Sequence, residues 1–261
     1  MKKKKRFENE KFRRGIYILP NIFTTLNIFS GFYSVVSSIN GNYTTAAVAI
    51  LVAIIFDIMD GKVARATHTT SKFGVEYDSL ADLISFGLAP ALMIYLWALK
   101  PLGRLGWLAA FLFMVCGALR LARFNSHVGT GSGEYFTGLP IPGGAGMNAT
   151  TVLLFSRFGL QGDQFAVVML IMLYALSFLM VSTVKYHSFK KPELHNRMNF
   201  NVLVAAVLIL IFIASQPPIA LFLLGVCYVI SGPYFSIRTY RNSKQVDTPT
   251  QETENPKSHL V

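Results

Sequence analysis

Long apolar runs alternate with short polar turns from residue 17 to residue 237, and each run is about long enough to cross a bilayer. Eight spans are predicted, at about 17–39, 43–65, 74–98, 104–123, 140–157, 165–184, 199–214 and 218–237. The predicted architecture is an all-α, polytopic membrane helical bundle, because a spanning segment in lipid must satisfy its own backbone groups. Residues 17–237 make one transmembrane domain. Residues 1–16 precede it as a basic juxtamembrane arm, and 238–261 follow as a polar tail in which QETENPK has the composition of a disordered segment. The first run is too long for a signal-peptide core and is read as a retained span.

One stretch breaks the apolar pattern. Asp57, Asp60, Gly61, Ala64 and Arg65 are offset by three, four, seven and eight positions and so share one face of the second helix. Gly74, Asp78 and Asp82 recur every four residues and form a stripe on the third. The polar ATHTTSK between them is a turn of the length that joins antiparallel neighbours, so the two stripes can face each other. Four acids then converge on one cavity. An unpaired carboxylate is costly to bury, so such a group calls for cations. All-oxygen ligand sets suit hard ions such as Mg2+ or Mn2+, which also bind phosphate oxygens. Gly61 and Ala64 leave room beside the acids for a bulky ligand, and Arg65 can fork onto a phosphate.

Composition agrees with the membrane reading: 52% of residues are hydrophobic, 14% are charged, and the mean hydropathy is +0.46. Charge then orients the bundle. With the N-terminus cytoplasmic, all but Lys100, Arg104 and Arg157 of the 24 Lys and Arg fall on the cytoplasmic side, as the positive-inside rule requires. The acidic stretch opens to that side. The net charge of +11 is concentrated in KKKKRFENEKFRR beside the first span, which points to anionic membrane lipids and not to nucleic acid. Phe7, Phe12 and Ile16 are spaced so that this arm is either a short interfacial amphipathic helix or a solvated tail that sets topology.

Other polar positions are ordered around the acids. Asn21, Thr24 and Asn27 lie three residues apart on one face of the first span and either bond neighbouring helices or line a nucleotide or headgroup pocket. Arg120 and Arg123 end the fourth span one turn apart, with Asn125 just beyond. Snorkelling to headgroups is one role for them; contact with a phosphate or an amino-acid carboxylate is favoured, because two guanidiniums on one face at the depth of the acids suit such a ligand. Pro90 is expected to kink the third span, with Gly87 and Ala89 packed closely. SHVGTGSGEYFTGL, residues 126–139, reads as a mobile loop able to close over the site. His68, His127, His187 and His195 fit no metal-ligand spacing, and the sparse Cys116 and Cys227 read as small buried hydrophobes.

The pattern D57-x-x-D60-G61-x-x-A64-R65, eight residues, G74-x-x-x-D78-x-x-x-D82 resembles in full the signature of the CDP-alcohol phosphatidyltransferases. P-N-x-x-T-x-x-N from Pro20, R-L-A-R-F-N from Arg120 and F-T-G-L-P-I-P from Phe136 resemble the serine-accepting branch of that family. The resemblance implies transfer of a phosphatidyl group from CDP-diacylglycerol to L-serine, giving phosphatidylserine and CMP, in a homodimer of a prokaryotic cell membrane. It implies two divalent ions held by Asp57, Asp60 and Asp78, with Asp82 completing the second metal site or acting as base. Gly61, Ala64, Arg65 and Gly74, with Asn21 and Thr24, are then expected at the CDP moiety, and Arg120, Arg123 and Asn125 at a phosphate or the serine carboxylate.

Two other readings remain at this level. Glycerol 3-phosphate or inositol can replace serine as acceptor within the same fold. Acids inside spans also mark ion pathways, so a divalent-cation transporter is a reading from another class; the absence of an internal repeat and the single contiguous acidic stretch count against it.

Overall fold

The computed structural model describes residues 2–67, 71–127, 135–187, 204, 208, 211 and 213–246. Seven long helices follow one another among these residues: α1 (Lys2–Ile39), α2 (Tyr43–Ala66), α3 (Lys72–Leu102), α4 (Arg104–His127), α5 (Ile141–Arg157), α6 (Ala166–Val181) and α7 (Pro217–Val246). Leu19–Ile39 of α1, all of α3, Arg104–Ser126 of α4, α6 with the turn from Gly162, and Pro217–Ser236 of α7 are long and apolar enough to cross a membrane. The chain is an integral membrane protein of helical class. Of the seventh expected span, positions 204, 208, 211, 213 and 214 are described and helical, and the rest lies outside the described residues, as do His68, His195 and the tail beyond 246.

The bundle is built as lipid demands. Large apolar side chains such as Phe29, Phe32, Ile55, Ile171 and Phe178 point outward, while Ala46, Ala47, Ala49 and Ala53 line the inner face of α2. Small residues let backbones approach closely where no hydrophobic force drives helices together. The larger core residues Phe86, Met93, Phe113, Ile141, Leu173 and Met180 fill the space between α3, α4, α5 and α6.

Helix α2 packs most extensively on α1, and α5 covers its other side. The α1–α2 reversal is short because Gly41 takes φ +76°, a conformation glycine adopts without strain, while Asn42 N–H returns to the Ser37 carbonyl at 2.9 Å. Farther along α1, Gly31 meets Ser85 so closely that an added Cβ would overlap it.

Helix α3 is not uniform. Directly after Asp82 the turn over Leu83–Leu88 widens to a π-helix, and a second wide turn spans Tyr95–Leu99. Pro90 lacks an N–H and its ring crowds the carbonyl four residues back, so the first widening lies where the expected kink falls. Wide turns of this kind often sit beside functional sites.

Two departures from expectation concern the ends and loops. The basic arm is helical from Lys2 and runs into the first span without a break. On the face that carries the acids, Tyr135–Thr137 (β1) pairs antiparallel with Lys185–His187 (β2), so two loops read as separate are joined in a small ribbon. Apolar periodicity carries no signal for so short a pairing. Cys116 is buried as expected, but Cys227 is exposed, because α7 turns Gly225, Val226 and Val229 toward the bundle instead.

Candidate active site

Helices α1, α2 and the first turns of α3 meet at one end of the bundle. Ser71 starts α3 by accepting the Gly74 N–H at 3.0 Å, an N-cap that fixes where the third helix begins and hence the phase of its acids. That phase turns Asp78 toward α2. Carboxylate oxygens of Asp57, Asp60 and Asp78 all lie within 4.8 Å of one another. Asp60 is 5% exposed and Asp82, one turn deeper, is 8% exposed.

Helix α1 supplies donors to these acids. Thr24 Oγ1 donates to Asp60 Oδ2 at 3.1 Å and is also 3.2 Å from the Pro20 carbonyl. Asn27 Nδ2 donates to Asp82 Oδ1 at 3.3 Å. The Ser85 hydroxyl donates to the Asn27 carbonyl at 2.9 Å and ties α1 to the wide turn of α3. Thr25 Oγ1 and the Tyr77 hydroxyl lie 3.0 Å apart and add a second tie between the same helices.

The cluster's chemistry suits a hard cation. One buried oxygen, Asp78 Oδ1, has no hydrogen-bond partner, although an ionised carboxylate accepts several such bonds. Neutral donors from Thr24 and Asn27 reach Asp60 and Asp82 only, which is too little to offset several negative charges held this close. An oxygen-only set with an orphaned lone pair fits Mg2+ or Mn2+.

The remaining positions from the sequence divide. Gly61 lies under the Arg65 guanidinium, 3.8 Å from where its Cβ would stand, and Arg65 is exposed on the same face as the acids. Ala64 is half-buried beside them, and Gly74 faces Asn21, whose Oδ1 is 3.7 Å from a Cβ built there. Arg120 is 8% exposed, in electrostatic reach of Asp82 and Tyr228, and its Nε has no hydrogen-bond partner. Arg123 turns aside: its Nη1 donates to the Val181 carbonyl at 3.1 Å and its Nη2 lies 3.4 Å from that of Ser182. Asn125 donates to Ser79 Oγ at 2.9 Å.

Three contributors escape the motif reading. Asn27 is visible as the third member of the α1 stripe, yet nothing in its spacing tells that it reaches Asp82. Ser85 opens the S-F-G-L-A-P-A stretch that resembles the CDP-alcohol phosphatidyltransferases, but its bond to the Asn27 carbonyl is not readable there, and Tyr228 carries no sequence signal, because each contact is made with an element far away in the chain.

The fold and site together define a polytopic membrane protein with an intramembrane carboxylate cluster whose oxygen ligands fit a metal ion. The chain belongs to the CDP-alcohol phosphatidyltransferase family, whose model matches residues 17–181. It is 36% identical over 208 residues to a CDP-diacylglycerol–serine O-phosphatidyltransferase of Helicobacter pylori, covering 80% of this chain and 87% of that protein. An archaetidylserine synthase of Methanothermobacter thermautotrophicus is 40% identical over 180 residues, 68% of this chain and 73% of its own length. A CDP-diacylglycerol–serine O-phosphatidyltransferase of Methanocaldococcus jannaschii is 33% identical over 219 residues, covering 84% and 94%.

Proposed function

We propose that this protein transfers the phosphatidyl group of CDP-diacylglycerol to L-serine, releasing CMP and forming phosphatidylserine. The observation that carries the reading is the convergence of Asp57, Asp60 and Asp78 within 4.8 Å at one end of the bundle, in a chain of this family. Relatives that act on serine, in bacteria and archaea, support the acceptor.

In this reading Asp57, Asp60 and Asp78 hold two divalent ions, with Asp82 as a further ligand or as base. Bound there, such ions neutralise a diphosphate and make CMP a better leaving group. The protein's own groups do the rest. Gly61, Ala64 and Gly74 leave backbone-level space for the CDP moiety, flanked by Asn21 and Thr24, and Arg65 swings its guanidinium onto a phosphate. Asp82, oriented by Asn27, takes the serine hydroxyl proton as that oxygen bonds to the lipid-side phosphorus and the bond to the CMP oxygen breaks. Arg120 meets the serine carboxylate from the wall opposite. Arg123 and Asn125 brace that wall, through the α4–α6 and α4–α3 contacts.

The site opens to the cytoplasm of a prokaryotic cell, where the basic arm holds anionic lipid, and the exposed face of α7 fits a homodimer. The test is to supply purified protein in detergent with CDP-diacylglycerol, Mn2+ and one alcohol at a time. Phosphatidylserine formed only with serine is the expected product. A lipid product from glycerol 3-phosphate or inositol in its place would reassign the acceptor, and metal uptake into proteoliposomes without CMP release would favour transport.

A further inference from the structure

A cavity lies at the end of the bundle away from the acids, where the α1–α2 turn, the end of α3 and the α5–α6 turn come together. Its volume is about 560 Å3, in the size range of small-ligand sites. Tyr43 lines it and Asp60 belongs to the acidic cluster; at 1.5 Å per residue they stand about 25 Å apart along α2, so the two sites face opposite membrane surfaces.

The walls are cross-linked. The Tyr43 hydroxyl donates to the Leu96 carbonyl at 3.2 Å, and Thr44 and Ser156 hydroxyls lie 2.8 Å apart. Trp97 stacks edge-on against Phe155 at 5.6 Å, and Phe155 against Phe165 at 5.1 Å. Gly162 brings the α5–α6 turn down on the Trp97 indole so tightly that a Cβ would overlap it. These ties join the α1–α2 turn, the end of α3 and the α5–α6 turn to one another around the cavity.

Its chemistry is two-signed. Lys100 stands on the wall and makes no ion pair among the described residues. Asp163 lines the same cavity; its Oδ1 accepts the Gln164 N–H at 2.9 Å, and its Oδ2 has no partner among the described residues. Leu96, Trp97 and Val152 add an apolar side next to these charges. An ammonium, a carboxylate and an apolar wall at the depth of lipid headgroups match a phosphate diester that carries an ammonium and is joined to acyl chains.

We propose that this cavity binds the zwitterionic headgroup of an aminophospholipid in the leaflet opposite the acidic cluster, with Lys100 on the phosphate and Asp163 on the ammonium. The site is separate from the transfer reaction and does not depend on the acceptor assigned above.

Trp97 reports on it directly. The chain has two tryptophans, and the other, Trp107, is half-exposed on α4, so Trp107→Phe leaves Trp97 as the one indole. In that background, titration of the detergent-solubilised full chain with dihexanoyl phosphatidylethanolamine is expected to shift Trp97 emission saturably. Lys100→Glu and Asp163→Asn, both at exposed positions, are expected to weaken that binding about tenfold each, with melting temperature and CMP release unchanged. Dihexanoyl phosphatidylglycerol, which lacks the ammonium, should bind more weakly and gain affinity in Asp163→Asn. Free phosphoethanolamine binding as tightly as the lipid would show a soluble phosphate ligand and overturn the lipid assignment. A response to inorganic phosphate alone, or affinities indifferent to both substitutions, would overturn the site.

Discussion

Thr24 Oγ1 and Asp60 Oδ2 are joined by a 3.1 Å hydrogen bond that runs from α1 to α2, between two side chains that are both almost fully buried. A hydrogen bond to a charged group contributes about 1.5–3 kcal/mol, so this one fixes the Asp60 carboxylate in the direction of Asp57 and Asp78. Thr24→Val is therefore expected to weaken apparent Mn2+ affinity by roughly tenfold or more, and Thr24→Ser to restore it. Metal titrations of CMP release measure both variants; equal affinities for valine and serine would show that the bond positions nothing.

The glycines separate folding from substrate binding. Gly31 is in contact with Ser85, and an alanine there must push α1 from α3, at a cost of about 1–3 kcal/mol. Gly61 has only the flexible Arg65 guanidinium above it at ordinary contact distance. Gly31→Ala is thus expected to lower the melting temperature in detergent, whereas Gly61→Ala keeps the melting temperature and raises the KM for CDP-diacylglycerol. Thermal unfolding and initial rates on the same preparations check the contrast.

Asp82 lies one turn deeper than Asp78, where it meets the Asp57 side chain and is the one acid to which Asn27 donates. A base contributes about 10²–10⁴-fold to turnover. Asp82→Asn is expected to lose turnover in that range while retaining at least one bound Mn2+, and Asn27→Leu to lose part of it with metal affinity kept. Electron paramagnetic resonance of Mn2+ beside CMP release distinguishes this from a plain loss of metal.

The two arginines of α4 are one turn apart yet placed differently. Arg123 is committed to the carbonyls of Val181 and Ser182, while Arg120 keeps an unpartnered Nε near Asp82. Arg120→Lys should raise the KM for serine with little change in that for CDP-diacylglycerol, because an ammonium cannot reproduce a bidentate guanidinium. Arg123→Lys should instead lower stability. Serine saturation curves and melting temperatures read the two effects.

What was legible in the sequence follows from what each pattern encodes. Helical period places Asp57 and Asp60 on one face and Asp78 and Asp82 on another, and a turn of fixed length brings those faces together, so the cluster could be read before any coordinates. The wall built on Arg120 and Arg123 could not. Spacing puts Arg120 and Arg123 on the same side of α4, but which one points to the acids depends on where the end of α6 offers carbonyls, a contact between positions some 60 residues apart. The ribbon of Tyr135–Thr137 with Lys185–His187 was hidden for the same reason, and the Lys100 cavity because its walls come from three separate turns.

The central claim is that Asp57, Asp60 and Asp78 hold the metal on which serine-dependent CMP release depends. It is tested most directly by titrating Mn2+ into purified wild type and Asp78→Asn while following bound ion by electron paramagnetic resonance and CMP release in the same samples. The account predicts that wild type releases CMP in proportion to bound Mn2+ and only with serine present, and that Asp78→Asn loses both signals together. Wild-type CMP release that persists in excess chelator, or an Asp78→Asn protein that binds Mn2+ and turns over as wild type does, would contradict it.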